Sequence, residues 1–221
     1  MREEAISGYR DRRGGDRRGG YAADSADPDA VAVADAFVLE DEVLLQARAL
    51  AEHAGTQAVS PGTGAALRLL CAALGAKAVA EIGTGTGVSG IYLLRGMRPD
   101  GVLTTVDVEP DLQRQAREAF AAAGFAANRA RMIPGFALEV LPRLADGQYD
   151  LVFCDGDAEQ AVAYLGEALR LLRPGGVVCL GGAGDVAEPI LRTVLNELRE
   201  RTELRPALLP VGDGLLCAVR A

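Results

Sequence analysis

The chain lacks tryptophan and has one histidine, His53, among its 221 residues. A single histidine excludes sites built from several histidine ligands and argues against a Ser-His-Asp hydrolase. The four cysteines, Cys71, Cys154, Cys179 and Cys217, are far apart and include no C-x-x-C pair. This spacing predicts buried free thiols in a reducing compartment rather than a disulfide framework or a zinc site.

Long apolar runs are also missing, because no hydrophobic stretch approaches the ~20 residues of a membrane span. The N-terminus carries no apolar segment of the kind found in secretory signals. We therefore expect a cytoplasmic protein that does not associate with membranes. The formal net charge of -8 argues against nucleic acid as a partner, since a phosphate backbone favours a basic surface.

The composition divides the chain into a tail and one domain. Residues 1–30 are rich in Gly, Asp and Arg, lack hydrophobic periodicity and are predicted to be disordered. Residues 31–221 are predicted to form a single domain, with helices over 31–75 and an α/β core over 76–221. Within the helical part, apolar residues recur at helical spacing from Asp35 to Ala54, and a second helix is expected from Thr63 to Leu74.

From Ala78 onward, short apolar strands alternate with helices. Strands are expected at residues 78–82, 102–106, 131–133, 149–154, 177–180, 204–209 and 215–219. Apolar strands that alternate with helices are typical of a parallel sheet covered on both faces. The pattern predicts an α/β, Rossmann-like fold: a seven-stranded, mostly parallel sheet with helices on both faces and a C-terminal antiparallel hairpin.

The most informative motif follows the first strand, where Glu81 precedes glycines at alternate positions, Gly83, Gly85 and Gly87. Glycine lets a backbone turn sharply after a strand and approach a ligand closely. Residues 85–90 match the dinucleotide fingerprint G-x-G-x-x-G, and Asp107 lies about 20 residues on, where a ribose-binding acid is expected. The acid before the turn, the two preceding helices and the closing hairpin instead favour S-adenosylmethionine (SAM), whose cationic groups carboxylates can bind.

Seven motifs occur in a fixed order: VSP at 59–61, EIGTGTGVS at 81–89, VDVEP at 106–110, LEVLP at 138–142, YDLVFCD at 149–155, LLRPGG at 171–176 and LPVGDGL at 209–215. In these motifs the chain resembles the small SAM-dependent O-methyltransferases of the catechol and caffeoyl-CoA type, especially their bacterial members. The resemblance covers residues from about 36 to the C-terminus. It implies a Rossmann-like methyltransferase fold, SAM as cofactor, S-adenosylhomocysteine (SAH) as product, a small hydroxylated acceptor and a homodimer.

The resemblance also implies which residues hold the methionine portion of SAM. Glu81, Gly83 and Gly85 would line this portion. Ser89 and the backbone of Val59 would hold its carboxylate and amino ends. These positions surround the glycine turn, so the cofactor is expected at the carboxyl edge of the sheet.

The adenosine portion is assigned in the same way. Asp107 would bind the ribose hydroxyls, with Val108 beside the adenine. Gly135, Phe136 and Ala137 would form the edge of the adenine site. All of these residues follow the second or third predicted strand.

Asp155, at the end of the fourth strand, would lie at the methyl-transfer end and is the candidate catalytic residue. Relatives of this type hold a divalent metal, usually magnesium, with this aspartate and an Asp-Asn pair that ends strand five. That pair falls on Gly181 and Gly182, and the lysine proposed as the family's base falls on Ala158. Because Mg²⁺ needs oxygen ligands in near-octahedral geometry, we predict no metal site of the family's kind.

The resemblance, together with the glycines at the ligand positions, therefore implies methyl transfer to a hydroxyl of a small, phenolic or catechol-like acceptor without that metal. Asp157 and Asp185 are candidate replacement ligands. Asp155 either accepts the hydroxyl proton or only orients the reactants, and the sequence leaves both roles open. The alternatives are a SAM- or SAH-binding protein that has lost catalysis, with a regulatory or assembly role, and an NAD(P)-dependent oxidoreductase supported by G-x-G-x-x-G alone.

Overall fold

Helices open the described part of the chain, which comprises residues 28–183 and 188–221 of this computed structural model. They are α1 (Pro28–Phe37), α2 (Glu42–His53) and α3 (Pro61–Leu74). The single helix expected from Asp35 to Ala54 is therefore wrong. The chain leaves the helical path after Phe37, and the side chain of Asp41 starts α2 by accepting a hydrogen bond from the Leu44 amide at 3.2 Å.

Residues 1–27 of the predicted tail lie outside the described residues, and so does Asp185. Helix α1 begins at Pro28, a little earlier than the expected boundary of the domain. It is attached to α3 through Asp35, which accepts hydrogen bonds from Ser60 Oγ at 2.8 Å and from the Gly62 amide at 2.7 Å. This attachment joins α1 to the segment that leads into α3.

Strands and helices then alternate as the sequence predicts. The elements are β1 (Ala78–Ile82), α4 (Val88–Gly96), β2 (Val102–Asp107), α5 (Pro110–Ala122), β3 (Ala130–Pro134), α6 (Ala137–Val140), β4 (Tyr149–Cys154), α7 (Ala161–Leu171), β5 (Leu172–Leu180), α8 (Glu188–Glu200), β6 (Leu204–Leu209) and β7 (Leu215–Arg220). Short 3₁₀ turns cover Ala127–Arg129, Leu141–Arg143 and Ala158–Gln160. No described helix has the length and apolar character needed to cross a membrane.

The sheet has the order β3-β2-β1-β4-β5-β7-β6. Its first five strands are parallel, and β7 pairs antiparallel with both β5 and β6. The predicted seven-stranded sheet with a closing hairpin is thus confirmed. Because Leu216 pairs with Leu180, the turn between β6 and β7 lies close to the end of β5.

Both faces of the sheet are buried, because neighbouring strand residues point into different cores. Val152 and Val178 pack in a core with α6, α7 and α8. Leu151 and Val177 pack in the opposite core with α2, α3, α4 and α5. The central strands β1, β4 and β5 are therefore buried on both sides over most of their length, which explains their nearly continuous hydrophobic sequence.

Candidate active site

The glycine turn joins β1 to α4 at the carboxyl edge of the sheet. Gly83 has φ +91°, and a Cβ atom on it would lie 2.6 Å from the carbonyl oxygen of Asp155. A side chain here would collide with the end of β4, so the path requires glycine. Beside Gly85, a Cβ atom would meet no described heavy atom within 4 Å. The turn therefore leaves an open backbone cradle, which fits a nucleotide-like group.

Asp107 ends β2, and backbone amides hold its carboxylate. The Gly85 amide donates to Oδ2 at 2.8 Å, and the Glu109 amide donates to Oδ1 at 2.9 Å. Each oxygen keeps a further lone pair, so the carboxylate can accept two more hydrogen bonds from a ligand. This geometry suits two neighbouring hydroxyls, as expected for a ribose.

Two cavities adjoin at this edge. The glycine-turn cavity, of about 220 Å³, includes in its lining six predicted cofactor residues: Val59, Gly83, Gly85, Ser89, Asp107 and Asp155. The strand-five cavity, of about 170 Å³, lies beside Gly181 and Gly182. Five of the described residues line both cavities: Asp155, Gly156, Gln57, Ala58 and Val59. The last three form one segment, which is here called the shared wall. Molecules bound in the two cavities would therefore meet at Asp155.

Glu81 lies beneath the turn, fully buried, and does not line the glycine-turn cavity. Its carboxylate accepts hydrogen bonds from Ser89 Oγ and from Thr105 Oγ1, each at 2.7 Å. Burial raises the pKa of Glu81 to about 7, although these two hydrogen bonds oppose the shift. The Glu81 side chain points into the interior, and its contact with the methionine portion stays a prediction. Its hydrogen bond orients Ser89, which does line the cavity.

The residues predicted to surround the adenine lie next to Asp107 but line neither cavity. The Gly135 amide donates to the Asp107 carbonyl at 2.8 Å, which places the end of β3 beside the end of β2. Phe136 is 63% exposed, Val108 is about half exposed and Ala137 is buried. These residues therefore follow β2 and β3 at the carboxyl edge of the sheet, and their contact with adenine stays a prediction.

Asp155 follows β4 at the junction of the two cavities. Its Oδ1 atom occupies space that Gly181 leaves free, because a Cβ atom on Gly181 would collide with it. The carboxylate has no hydrogen-bond donor among the described residues. Burial raises the pKa of Asp155 to about 6, and the nearby Asp213 adds to this rise. Such a carboxylate is mostly ionised at neutral pH and takes up a proton more readily than an exposed aspartate.

The residues at this junction do not fit the family's divalent metal centre. Gly181 and Gly182 have no side-chain atoms that could bind a metal. A side chain on Gly181 would also displace the Asp155 carboxylate. Asp157 borders the strand-five cavity, but its carboxylate already caps the 3₁₀ turn that follows it. Within residues 28–183 and 188–221, no three His, Cys, Asp or Glu side chains group in a way that could hold a metal. We therefore assign no chemical step to a metal ion.

Tyr164 and Asp213 also border the strand-five cavity, although neither was predicted from the sequence to lie there. Tyr164 lies on α7, and burial raises the pKa of its hydroxyl. Asp213 lies in the turn between β6 and β7, within the LPVGDGL motif. The motif is visible in the sequence, but only the pairing of β7 with β5 brings it to this cavity. Ala158, at the family's lysine position, borders the cavity without a titratable group.

Comparison with known proteins supports a common architecture over the whole described domain. A family model described as O-methyltransferase matches residues 32–221. A Mycobacterium tuberculosis protein (strain ATCC 25618 / H37Rv), described as the probable O-methyltransferase Rv1220c, is 50% identical, over 94% of this chain and 97% of that protein. The matched region includes both cavities and the helices before the sheet.

Solved structures give the same result. The O-methyltransferase TomG from Streptomyces achromogenes, involved in tomaymycin synthesis and solved with SAM, is 29% identical, with a TM-score of 0.77 over 89% of this chain and 97% of that chain. An O-methyltransferase from Bacillus cereus, solved with SAH, is 26% identical, with a TM-score of 0.74 over 86% of this chain and 96% of that chain. Both neighbours carry the methyl donor or its product.

Proposed function

The chain belongs to the O-methyltransferase family, and on that premise we propose that it methylates a hydroxyl of a small phenolic or catechol-like acceptor without the family's usual metal. The family's activity depends on SAM, so the G-x-G-x-x-G match does not mark a dinucleotide site. The observation that carries the proposal is the junction of two cavities at Asp155. One cavity is lined by six of the predicted cofactor residues, and we assign the other to the acceptor.

The glycine-turn cavity is the proposed cofactor site. Asp107 would accept hydrogen bonds from both ribose hydroxyls with the lone pairs that Gly85 and Glu109 leave free. Ser89, oriented by Glu81, would hold the polar end of the methionine portion together with the Val59 backbone. Adenine would extend past Asp107 toward Val108, Gly135, Phe136 and Ala137.

Asp155 is the proposed general base. When bound, SAM would supply a methyl group carried by a positively charged sulfur, and transfer of that methyl group to the acceptor oxygen would release SAH with a neutral sulfur. Asp155 would accept the proton of that hydroxyl, since no described residue donates a hydrogen bond to its carboxylate, which lies where the cavities meet. The walls of the two cavities would supply alignment, which can contribute ~7–11 kcal/mol to such a reaction.

A second function, binding of SAM or SAH without catalysis in a regulatory or assembly role, is favoured by one observation. Gly181, Gly182 and Ala158 replace the side chains that would hold a metal and act as a base in relatives. A turnover screen separates the two functions. We expect methylation of some phenols or catechols; SAH binding without turnover on any of them would favour the second function.

Two titrations test the cofactor and metal parts of the proposal. In calorimetry, SAH should bind and NAD should not; the reverse result would contradict the SAM site. With an acceptor that is turned over, the rate should be the same in magnesium and in excess EDTA. A rate that collapses in EDTA would show that a metal centre exists despite the glycines.

We also propose a cytoplasmic homodimer that acts on small molecules and not on nucleic acid. Val33, Phe37 and Leu39 expose apolar side chains near the start of the described chain, which is typical of an interface. The four cysteines are free and buried, as suits a reducing compartment. Light scattering should give the mass of a dimer for the full chain.

A further inference from the structure

The backbone of the shared wall makes few hydrogen bonds with the rest of the protein. Gln57, Ala58 and Val59 lie between α2 and α3, outside any helix or strand. In the part of the chain that the structure describes, their backbone groups take part in one hydrogen bond, which Arg48 Nη1 donates to the Val59 carbonyl at 2.8 Å. Ala58 and Val59 also pack against the core on the α2–α5 face of the sheet, but the backbone of the wall is anchored by the Arg48 side chain.

Arg48 is itself fixed by an ion pair. Its Nε and Nη2 atoms donate to the two carboxylate oxygens of Glu40, at 3.0 and 2.6 Å. The Glu40 side chain is only 6% exposed and also accepts a hydrogen bond from the Tyr92 hydroxyl at 2.9 Å. The planar guanidinium can bind a carboxylate with one edge and still direct a third N–H at a carbonyl, whereas a lysine ammonium cannot reproduce this fork.

The helix that carries Arg48 is also bonded to the glycine turn. Thr86 Oγ1 donates to the carbonyl of Ala47 at 2.7 Å, and this bond is buried. Ala47 is the residue before Arg48. Adjacent residues of α2 thus contact the glycine turn on one side and the shared wall on the other. Helix α2 sets the distance between two parts of the cofactor site.

We propose that Arg48 is a positioning residue for methyl transfer, which fixes Val59 and so aligns the shared wall between donor and acceptor. The inference rests on the proposed function, because it assigns SAM to the glycine-turn cavity. Arg48 does not line either cavity, so its effect passes through Val59. Loss of the anchor lets the wall move, and small displacements at a reacting centre reduce rates strongly.

The test compares Arg48→Met and Arg48→Lys with a matched control, Arg95→Met. Arg95 pairs with Asp41 at the start of α2, and its side chain is similarly exposed, but it does not contact the wall. For Arg48→Met we expect SAH affinity to fall about tenfold or more and acceptor KM to rise. Arg48→Lys should recover only part of the loss. Arg95→Met should stay close to the wild-type protein in both measurements.

Removal of Arg48 also leaves Glu40 without its ion-pair partner, which lowers stability by itself. The double variant Arg48→Met with Glu40→Gln separates the two effects. We expect its Tm to recover toward that of the wild-type protein while SAH affinity stays low, because the Val59 carbonyl is still unanchored. If SAH affinity recovers together with Tm, Arg48 acts through stability alone and the inference is wrong.

Different experimental results would contradict the positioning role of Arg48 and the proposed function. If the wild-type protein methylates acceptors and Arg48→Met binds SAH and turns over normally, only the positioning role is overturned. If the wild-type protein binds SAH without turnover, the function fails, while the effect of Arg48 on SAH affinity still decides the anchoring. A wild-type protein that does not bind SAH overturns both.

Discussion

Asp155 shows how the charge state of one residue depends on its neighbours. Nothing in the sequence around Asp155 indicates an unusual pKa, but burial and the nearby Asp213 raise its pKa toward neutrality. Gly181 leaves the space that the carboxylate occupies, so the glycine that offers no metal-binding side chain also permits this position. The proposed base and the lack of a ligand side chain at Gly181 therefore depend on one packing arrangement.

Asp155→Asn tests the base. We expect kcat to fall about 100-fold or more, because an amide cannot accept the hydroxyl proton. SAH affinity should change little. In the wild-type protein, kcat/KM should fall as pH drops through about 6, where Asp155 becomes protonated, and this limb should vanish in the variant. Asp157→Asn, in the same cavity, is the control; full activity in Asp155→Asn would restrict Asp155 to orienting ligands.

Gly181→Ala tests the space beside that carboxylate. The added methyl group must displace Asp155 Oδ1, so kcat/KM should fall about tenfold while SAH binding is retained. Gly166→Ala on α7 is the matched control, since its methyl group meets no described atom within 4 Å. This control should be stabilised by about 0.5–1 kcal/mol in thermal or chemical unfolding. Equal activity in both variants would contradict the packing argument.

At the scale of elements, the strand ends carry the site, and their order along the chain could be predicted. Alternating apolar strands and helices indicated β1 to β5, and the polar residue after each strand indicated Asp107 and Asp155. The interruption between α1 and α2 could not be predicted, because apolar periodicity continues through it. Strand β5 begins at Leu172 rather than Val177, because Leu172 pairs with Tyr149 of β4 ahead of an irregularity in the register. Arg173, in that irregular stretch, forms an ion pair with Asp150 of β4.

Asp107→Asn tests the end of β2. One oxygen of the carboxylate becomes an amide, which would face a backbone N–H group and lose a ribose contact. Since hydrogen bonds to charged groups contribute about 1.5–3 kcal/mol, we expect SAH affinity to fall about 10- to 100-fold. Calorimetry measures this, with Asp111→Asn on the exposed first turn of α5 as control. Unchanged SAH affinity would mean that the ribose binds elsewhere.

At the scale of the whole molecule, the sheet order brings together residues that the sequence keeps far apart. A hairpin was predictable, but the insertion of β7 between β5 and β6 depends on long-range strand pairing. That order carries Asp213 to the cavity beside Gly181. The direction of the Glu81 side chain was equally hidden, because an acid before a glycine turn has the same sequence whether it faces a ligand or the interior.

Buried carboxyl groups make the stability of the whole domain depend on pH. The pKa of Glu81 rises from an ordinary 4.5 to about 7 in the folded protein. Between these values the folded state binds more protons than the unfolded state, so the free energy of unfolding falls as pH rises from about 4.5 to 7. The contribution of Glu81 to this fall is about 3 kcal/mol. Asp155 acts in the same direction between 3.8 and about 6.

Denaturant unfolding at several pH values tests this dependence. In Glu81→Gln the fall between pH 4.5 and 7 should be smaller by the Glu81 contribution, because that ionisable group is gone, while the Asp155 contribution remains below about pH 6. Glu118→Gln, on the exposed side of α5, should keep the wild-type dependence. An identical pH dependence in Glu81→Gln and the wild-type protein would show that Glu81 does not titrate in this range.

The shared wall has a consequence for how such a protein can diversify. Because Gln57, Ala58 and Val59 border both cavities, a substitution that reshapes the proposed acceptor space there also changes the surroundings of the proposed methyl-donor site. Changes of acceptor preference that keep the donor bound are therefore easier on the far side of the strand-five cavity, at Tyr164, Val194 and Leu216. The wall limits which parts of the molecule can change separately and which must change together.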